Sequence, residues 1–177
     1  MKTFIVSVFG VVALAALCAA KPAESIWFAP EHARLDINAI LAPICQSMIP
    51  THGESVPQTS ASPYKVTVAK TKVAAGAVLN VTVSGSDFKG IFIEARRNTT
   101  LVGTFEPRAD NYTFIASCSP GKNNALFYEN RAGVKELTVQ WKAPETPETV
   151  VFRCTTVKSF SVFWVGDESA KVKVVKS

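Results

Sequence analysis

From Tyr64 to the C-terminus, apolar and polar residues alternate with the two-residue period of β-strands. In YKVTVAK, Tyr64, Val66 and Val68 share one face and Lys65 and Thr67 the other. VLNVTVS places Leu79, Val81 and Val83 inward and Asn80, Thr82 and Ser84 outward. KELTVQW sets Leu137, Val139 and Trp141 against Glu136, Thr138 and Gln140. GIFIEARR, TVVFRCTTV and FSVFWVG are apolar at nearly every position, the pattern of strands buried on both faces. A final strand in AKVKVVKS would carry Lys171 and Lys173 on one face. Gly, Pro, Asn and Asp separate these runs at a spacing that suits an all-β sandwich or barrel.

The first 63 residues follow other patterns. Lys2 followed by an apolar run from Phe4 to Leu17, interrupted only by Ser7, then Cys18, Ala19 and Ala20, predicts a secretory signal peptide over 1–20, cleaved before Lys21. No second apolar run approaches the roughly 20 residues a membrane span needs. Over 21–44, Ile37, Ile40, Leu41 and Ile44 fall at helical spacing, and Pro43 is expected to end any helix by Ala42. This reads as an N-terminal arm or short helix docked on the sandwich. The Lys/Arg-rich polar face of a membrane-surface helix is missing from it.

Processing would leave 177 − 20 = 157 residues, enough for one substantial core, and a net charge of 18 − 14 = +4. A mild positive charge suits anionic surfaces. Clustered arginines interleaved with aromatics do not occur, which argues against nucleic acid. Nucleophilic catalysis needs a base beside the nucleophile, and the only histidines are His32 and His52, with no GxSxG, HExxH or CxxC motif. The acidic residues read as solvated surface, and neither an enzyme nor a cofactor is expected.

Cys45, Cys118 and Cys154 would remain after processing, in an oxidising compartment. Parity puts Cys154 on the apolar face of its strand with Val150 and Phe152, as a buried and inert thiol, an intermolecular bridge being the alternative. That leaves Cys45 to pair with Cys118. Cys45-x-x-Met48-x-x-x-His52 has the residue types of a soft-metal site. With Cys45 in a disulfide only Met48 and His52 remain, too few for a stable site, so a fastening role is expected for this stretch. Asn80-Val-Thr82, Asn98-Thr-Thr100 and Asn111-Tyr-Thr113 are N-glycosylation sequons. Of the three acceptors, Asn80 lies in mid-strand on the outward face.

The series CQSMIPTH at 45–52, Pro57-Gln58, SPYKVTV at 62–68, FKGIFIEAR at 88–96, VGTF at 102–105, Cys118, QWKAP at 140–144, VVFRCTTV at 150–157 and FWV at 163–165 resembles the reelin (reeler) domain. It is closest to the small secreted insect defence proteins built from that domain alone. The resemblance spans 45–166 of a domain taken as 45–177, and leaves 21–44 unmatched. It implies an immunoglobulin-like antiparallel β-sandwich, a Cys45–Cys118 disulfide, no enzyme activity, and a role in innate immunity through microbial surface components or host blood cells. Some family members carry a second disulfide in the C-terminal half, whereas Cys154 has no later cysteine to pair with. The expected function is that of a secreted defence glycoprotein binding an anionic microbial glycolipid or polysaccharide. The candidate contacts are Lys89, Arg96, Arg97, Arg108, Lys171 and Lys173. The alternative is a structural or adhesive matrix protein that binds other proteins through the same sandwich.

Overall fold

A computed structural model describes residues 43–177. The signal peptide expected at 1–20 and the arm up to Ala42 lie outside the described residues. Among the described residues, one helical turn, α1 (Ile44–Ser47), precedes ten strands: β1 (Tyr64–Val68), β2 (Lys72–Ala74), β3 (Val78–Arg97), β4 (Thr100–Leu101), β5 (Thr104–Phe105), β6 (Thr113–Ala116), β7 (Ala125–Lys142), β8 (Thr149–Ser159), β9 (Val162–Glu168) and β10 (Val172–Val175).

VLNVTVS and GIFIEARR, which read as two strands, are the two halves of β3. Likewise KELTVQW is only the second half of β7. The first half of β3 pairs with β1, and with the end of β7 in a register that sets Val81 against Val139. Its second half pairs with the start of β7 and with β8, setting Ile93 between Leu126 and Cys154. The register shifts between Ser84 and Gly90, where β3 bends from one layer of the sandwich into the other. Gly85 permits the bend: its φ is +149°, and a Cβ there would lie 2.2 Å from the Pro63 carbonyl oxygen.

Between the layers lies the main core. It joins Val81, Val83, Leu137, Val139 and Trp141 to Ile91, Ile93, Ala95, Phe152 and Cys154. Trp141 meets Phe152 edge to face at 5.0 Å. Cys154 is fully buried and unpaired, as its parity predicts, and burial pushes its thiol up to about 12, so it stays protonated.

The expected β-sandwich is present, with one refinement. The sandwich is not wholly antiparallel, because β10 pairs with β2 in parallel as well as with β8 antiparallel. Three residues were too few for β2 to show a strand period. The helix expected to end by Ala42 lies outside the described residues, and Pro43 itself stands at the N-cap of α1. Met48, at φ +58°, closes the turn by donating its N–H to the Ile44 carbonyl at 2.7 Å.

Candidate functional site

The second half of β3 is buried on both faces, as its nearly unbroken apolar run predicts. One face enters the main core. The other carries Phe92, Glu94 and Arg96, and the segment from Ile44 to His52 lies over it. Ile44 and Met48, each 1 % exposed, pack with Phe92, Phe127 and Phe163 around the Cys45–Cys118 disulfide. Burying a side chain of that size contributes roughly 1.5–3 kcal/mol.

Arg96 binds the segment down through polar contacts. Its Nε and Nη2 donate to Glu94 Oε2 at 2.8 and 2.5 Å, while Nη2 also donates to the carbonyls of Cys45 at 2.8 Å and Gln46 at 3.3 Å. Thr155 Oγ1 donates to the Met48 carbonyl at 2.6 Å. Burial pushes the Glu94 carboxyl up to about 7 against the pull of Arg96. Arg96 was expected to contact ligand. It is instead 7 % exposed and committed to this latch, so it is removed from the candidate surface.

Cys45, Glu94 and Cys118 bring potential ligand atoms within 4.8 Å of one another. Both sulfurs are consumed in the disulfide, and Arg96 occupies the carboxylate, so the trio has no free donor set for a metal. The two carboxyls raised to about 7 belong to Glu94 and Glu129, and Glu129 aligns with Gly90, four residues along β3 from Glu94, so their backbones lie ~13 Å apart.

His52 is fully buried, stacked on Phe160 at 4.9 Å and edge-on to Phe163 at 5.4 Å, with a hydrogen bond to the Phe160 backbone. Burial lowers its pKa from 6.5 to about 4. The folded state therefore binds fewer protons than the unfolded state between those values. The stability His52 contributes above pH 6.5 is lost as pH falls through 4. Thermal melts from pH 7.5 to 4 are expected to show a smaller acid-induced loss in His52→Gln than in the parent. Equal losses would contradict this.

The other candidate contacts disperse. Lys173 is the direct neighbour of Lys72 across the parallel β10–β2 pair, and Lys171 precedes β10, two residues before Lys173. All three are exposed and, among the described residues, make no ion pair. Arg97 lies nearby at the end of β3 but pairs with Glu148 at 3.2 Å. Lys89 is half-buried beside Gly90, which aligns with Val157, seven residues along β8 from the Val150 that meets β10. That places it ~23 Å from the lysine row. Lys72 was missed in the sequence, because only the parallel pairing brings it to Lys173. Its one signal is alternation in Lys72-Val73-Ala74.

Arg108 stands on the other sheet, at a polar depression of about 410 Å³ lined by Asn80, Pro107, Arg108, Ala109, Asp110, Thr138 and Gln140. Its Nε donates to Asp110 Oδ2 at 2.8 Å and its Nη1 to the Thr138 carbonyl. Asn80, Asn98 and Asn111 are all exposed, and Asn98 turns the β3–β4 hairpin at φ +55°.

Among the described residues, the site is a long bent pair of strands with a disulfide that fastens the leading segment across it. The family model described as "Reeler domain" matches residues 43–177. The chain belongs to the Reeler domain family. This Reeler domain is 38 % identical over 131 residues to the "Putative defense protein" of Locusta migratoria, covering 72 % of this chain and 75 % of that one. It is 42 % identical over 142 residues to the "Putative defense protein Hdd11-like" of Samia ricini, covering 74 % and 83 %. The "Putative ferric-chelate reductase 1 homolog" of Drosophila melanogaster is 29 % identical over 173 residues, and only 26 % of its length is matched. The human F-spondin reeler domain superposes with a TM-score of 0.55 at 19 % identity, over 71 % of this chain and 96 % of that one, and so shows the fold alone.

Proposed function

We propose that this Reeler domain is a secreted defence protein that binds anionic components of microbial surfaces through Lys72, Lys171 and Lys173. The lysine row carries the reading. Paired strands lie ~4.8 Å apart and same-face neighbours along a strand ~6.7 Å apart. Three ammonium groups at such spacing can meet successive phosphates of a glycolipid or teichoic polymer. Like charges directly opposed across a sheet cost stability, so Lys72 beside Lys173 is an arrangement favoured by an anionic ligand rather than by folding. The defence names of the locust and silkmoth relatives agree with this reading and with an extracellular place of action.

Binding of the purified protein to lipopolysaccharide or lipoteichoic acid is expected at low salt. It should weaken steeply towards physiological ionic strength and above, where screening acts over ~8 Å or less. Neutral β-glucan serves as the comparator. Failure to bind either anionic ligand, or binding indifferent to salt, would contradict the reading.

A second reading, adhesion to host proteins or blood cells, draws on Tyr112 and Phe114. They are 47 % and 41 % exposed at and beside β6, which pairs with β7 alone among the described strands. Salt-resistant capture on host blood cells, without capture on bacteria, would favour it.

A further inference from the structure

We propose that the polar depression beside Arg108 is the seat of an N-linked glycan carried by Asn80. This rests on the secreted reading. Asn80 opens the sequon completed by Thr82, and its exposed side chain lines the depression itself. Of the three acceptors, only Asn80 does so.

The floor is sheet: Asn80 aligns with Gln140, and Thr82 with Thr138, whose hydroxyls bond each other at 2.8 Å. The wall is the link between β5 and β6, and it is already ordered. Asp110 accepts from the Tyr112 and Thr113 N–H groups at 2.9 and 2.7 Å, from the Thr113 hydroxyl at 3.0 Å, and from Arg108. Two of the five guanidinium N–H groups of Arg108 are used, leaving donors for a ligand.

The one cation and the one carboxylate here neutralise each other. The site therefore suits a neutral polyhydroxyl ligand, not the anions that suit the lysine row. Gln140 and Arg108 can exchange hydrogen bonds with sugar hydroxyls, and Pro107 and Ala109 offer apolar contact to a ring face or acetamido methyl. At about 410 Å³ the depression falls within the roughly 300–1,000 Å³ of small-ligand sites.

Mid-strand placement does not prevent attachment, because transfer acts on the extended chain before it folds. The Asn80 amide nitrogen attacks the anomeric carbon of an oligosaccharide carried on a lipid pyrophosphate. The nitrogen–carbon bond forms, the anomeric carbon–oxygen bond breaks, the lipid pyrophosphate leaves, and the transferase takes the amide proton. Seated against Arg108 and Gln140, the glycan covers the outer face around Thr82 and Thr138. The lysine row on the other sheet stays open.

The full chain secreted from insect cells tests this by glycopeptide mass spectrometry, with endoglycosidase release timed for each acceptor in native and denatured protein. Asn80 is expected to be occupied, and its glycan to be released several-fold more slowly from the native protein than from the denatured one. Arg108→Ala and Gln140→Ala, both at exposed positions, should each narrow that difference. Secreted protein with Asn80 bare, or an Asn80 glycan released at the same rate in both states, overturns the proposal. Protein retained in the cell with all three acceptors bare instead contradicts secretion, and the glycan with it.

Discussion

Replacing Arg96 by leucine is expected to destabilise the domain by about 3–5 kcal/mol at pH 8, the cost of leaving one member of a buried ion pair alone. Glu94, fully buried, loses both guanidinium bonds, and the carbonyls of Cys45 and Gln46 lose their donor. The cost depends on pH in a defined direction. Without Arg96 only burial acts strongly on Glu94, so its folded pKa climbs above about 7 while the unfolded value stays near 4.5. A carboxyl raised on folding contributes stability below its unfolded pKa and loses it as pH rises through the folded one. The variant should therefore be penalised less at pH 5 than at pH 8, as urea midpoints at the two values would show. Glu94→Gln combined with Arg96→Leu should recover part of the loss, since no charge remains buried. A variant within about 0.5 kcal/mol of the parent at both pH values would show that the latch holds nothing.

Replacing Cys45 and Cys118 together by alanine is expected to cost about 2–4 kcal/mol. The bond joins residues 73 apart in sequence and fixes the Ile44–His52 segment across β3. Its loss frees the unfolded chain and weakens the folded one at the same place, because Ile44 and Met48 then stay buried only through their own packing and the Arg96 and Thr155 bonds. Amide hydrogen exchange should localise the change to 43–52 and the covered face of β3. Protection lost evenly over the whole sandwich, with the segment still ordered, would contradict a fastening role. The two predictions couple, since both act on one segment, so a triple variant should fall short of their sum.

Much of this arrangement was legible in the sequence, for reasons that can be traced. Alternation in YKVTVAK and KELTVQW reports a strand with one wet face, and both faces were assigned correctly. The apolar run of GIFIEARR reports burial on both sides, and parity alone placed Cys154 in the core. Glu94 and Arg96, two apart within that run, carried a signal of their own: same-face charges in a doubly buried strand must find each other. Reading Arg96 as a surface cation overlooked it.

Other features depend on contacts that no local window contains. Gly85 reads as a strand-ending turn unless the close approach of Pro63 is known. Lys72 gains its neighbour Lys173 from a parallel pairing that joins residues about a hundred positions apart. The Asn80 depression needs the β5–β6 link folded against the sheet before it exists.

The functional account rests on the lysine row, and a triple variant tests it most directly. Lys72→Ala, Lys171→Ala and Lys173→Ala together remove three exposed charges, including a like-charged cross-strand pair, so thermal stability should hold or rise slightly. At about 1 kcal/mol per cation near an anionic surface, the account predicts that affinity for lipopolysaccharide vesicles falls about a hundredfold. A Lys89→Ala, Arg108→Ala control should bind as the parent does. Parental affinity in the triple variant, or an equal loss in the control, would contradict it.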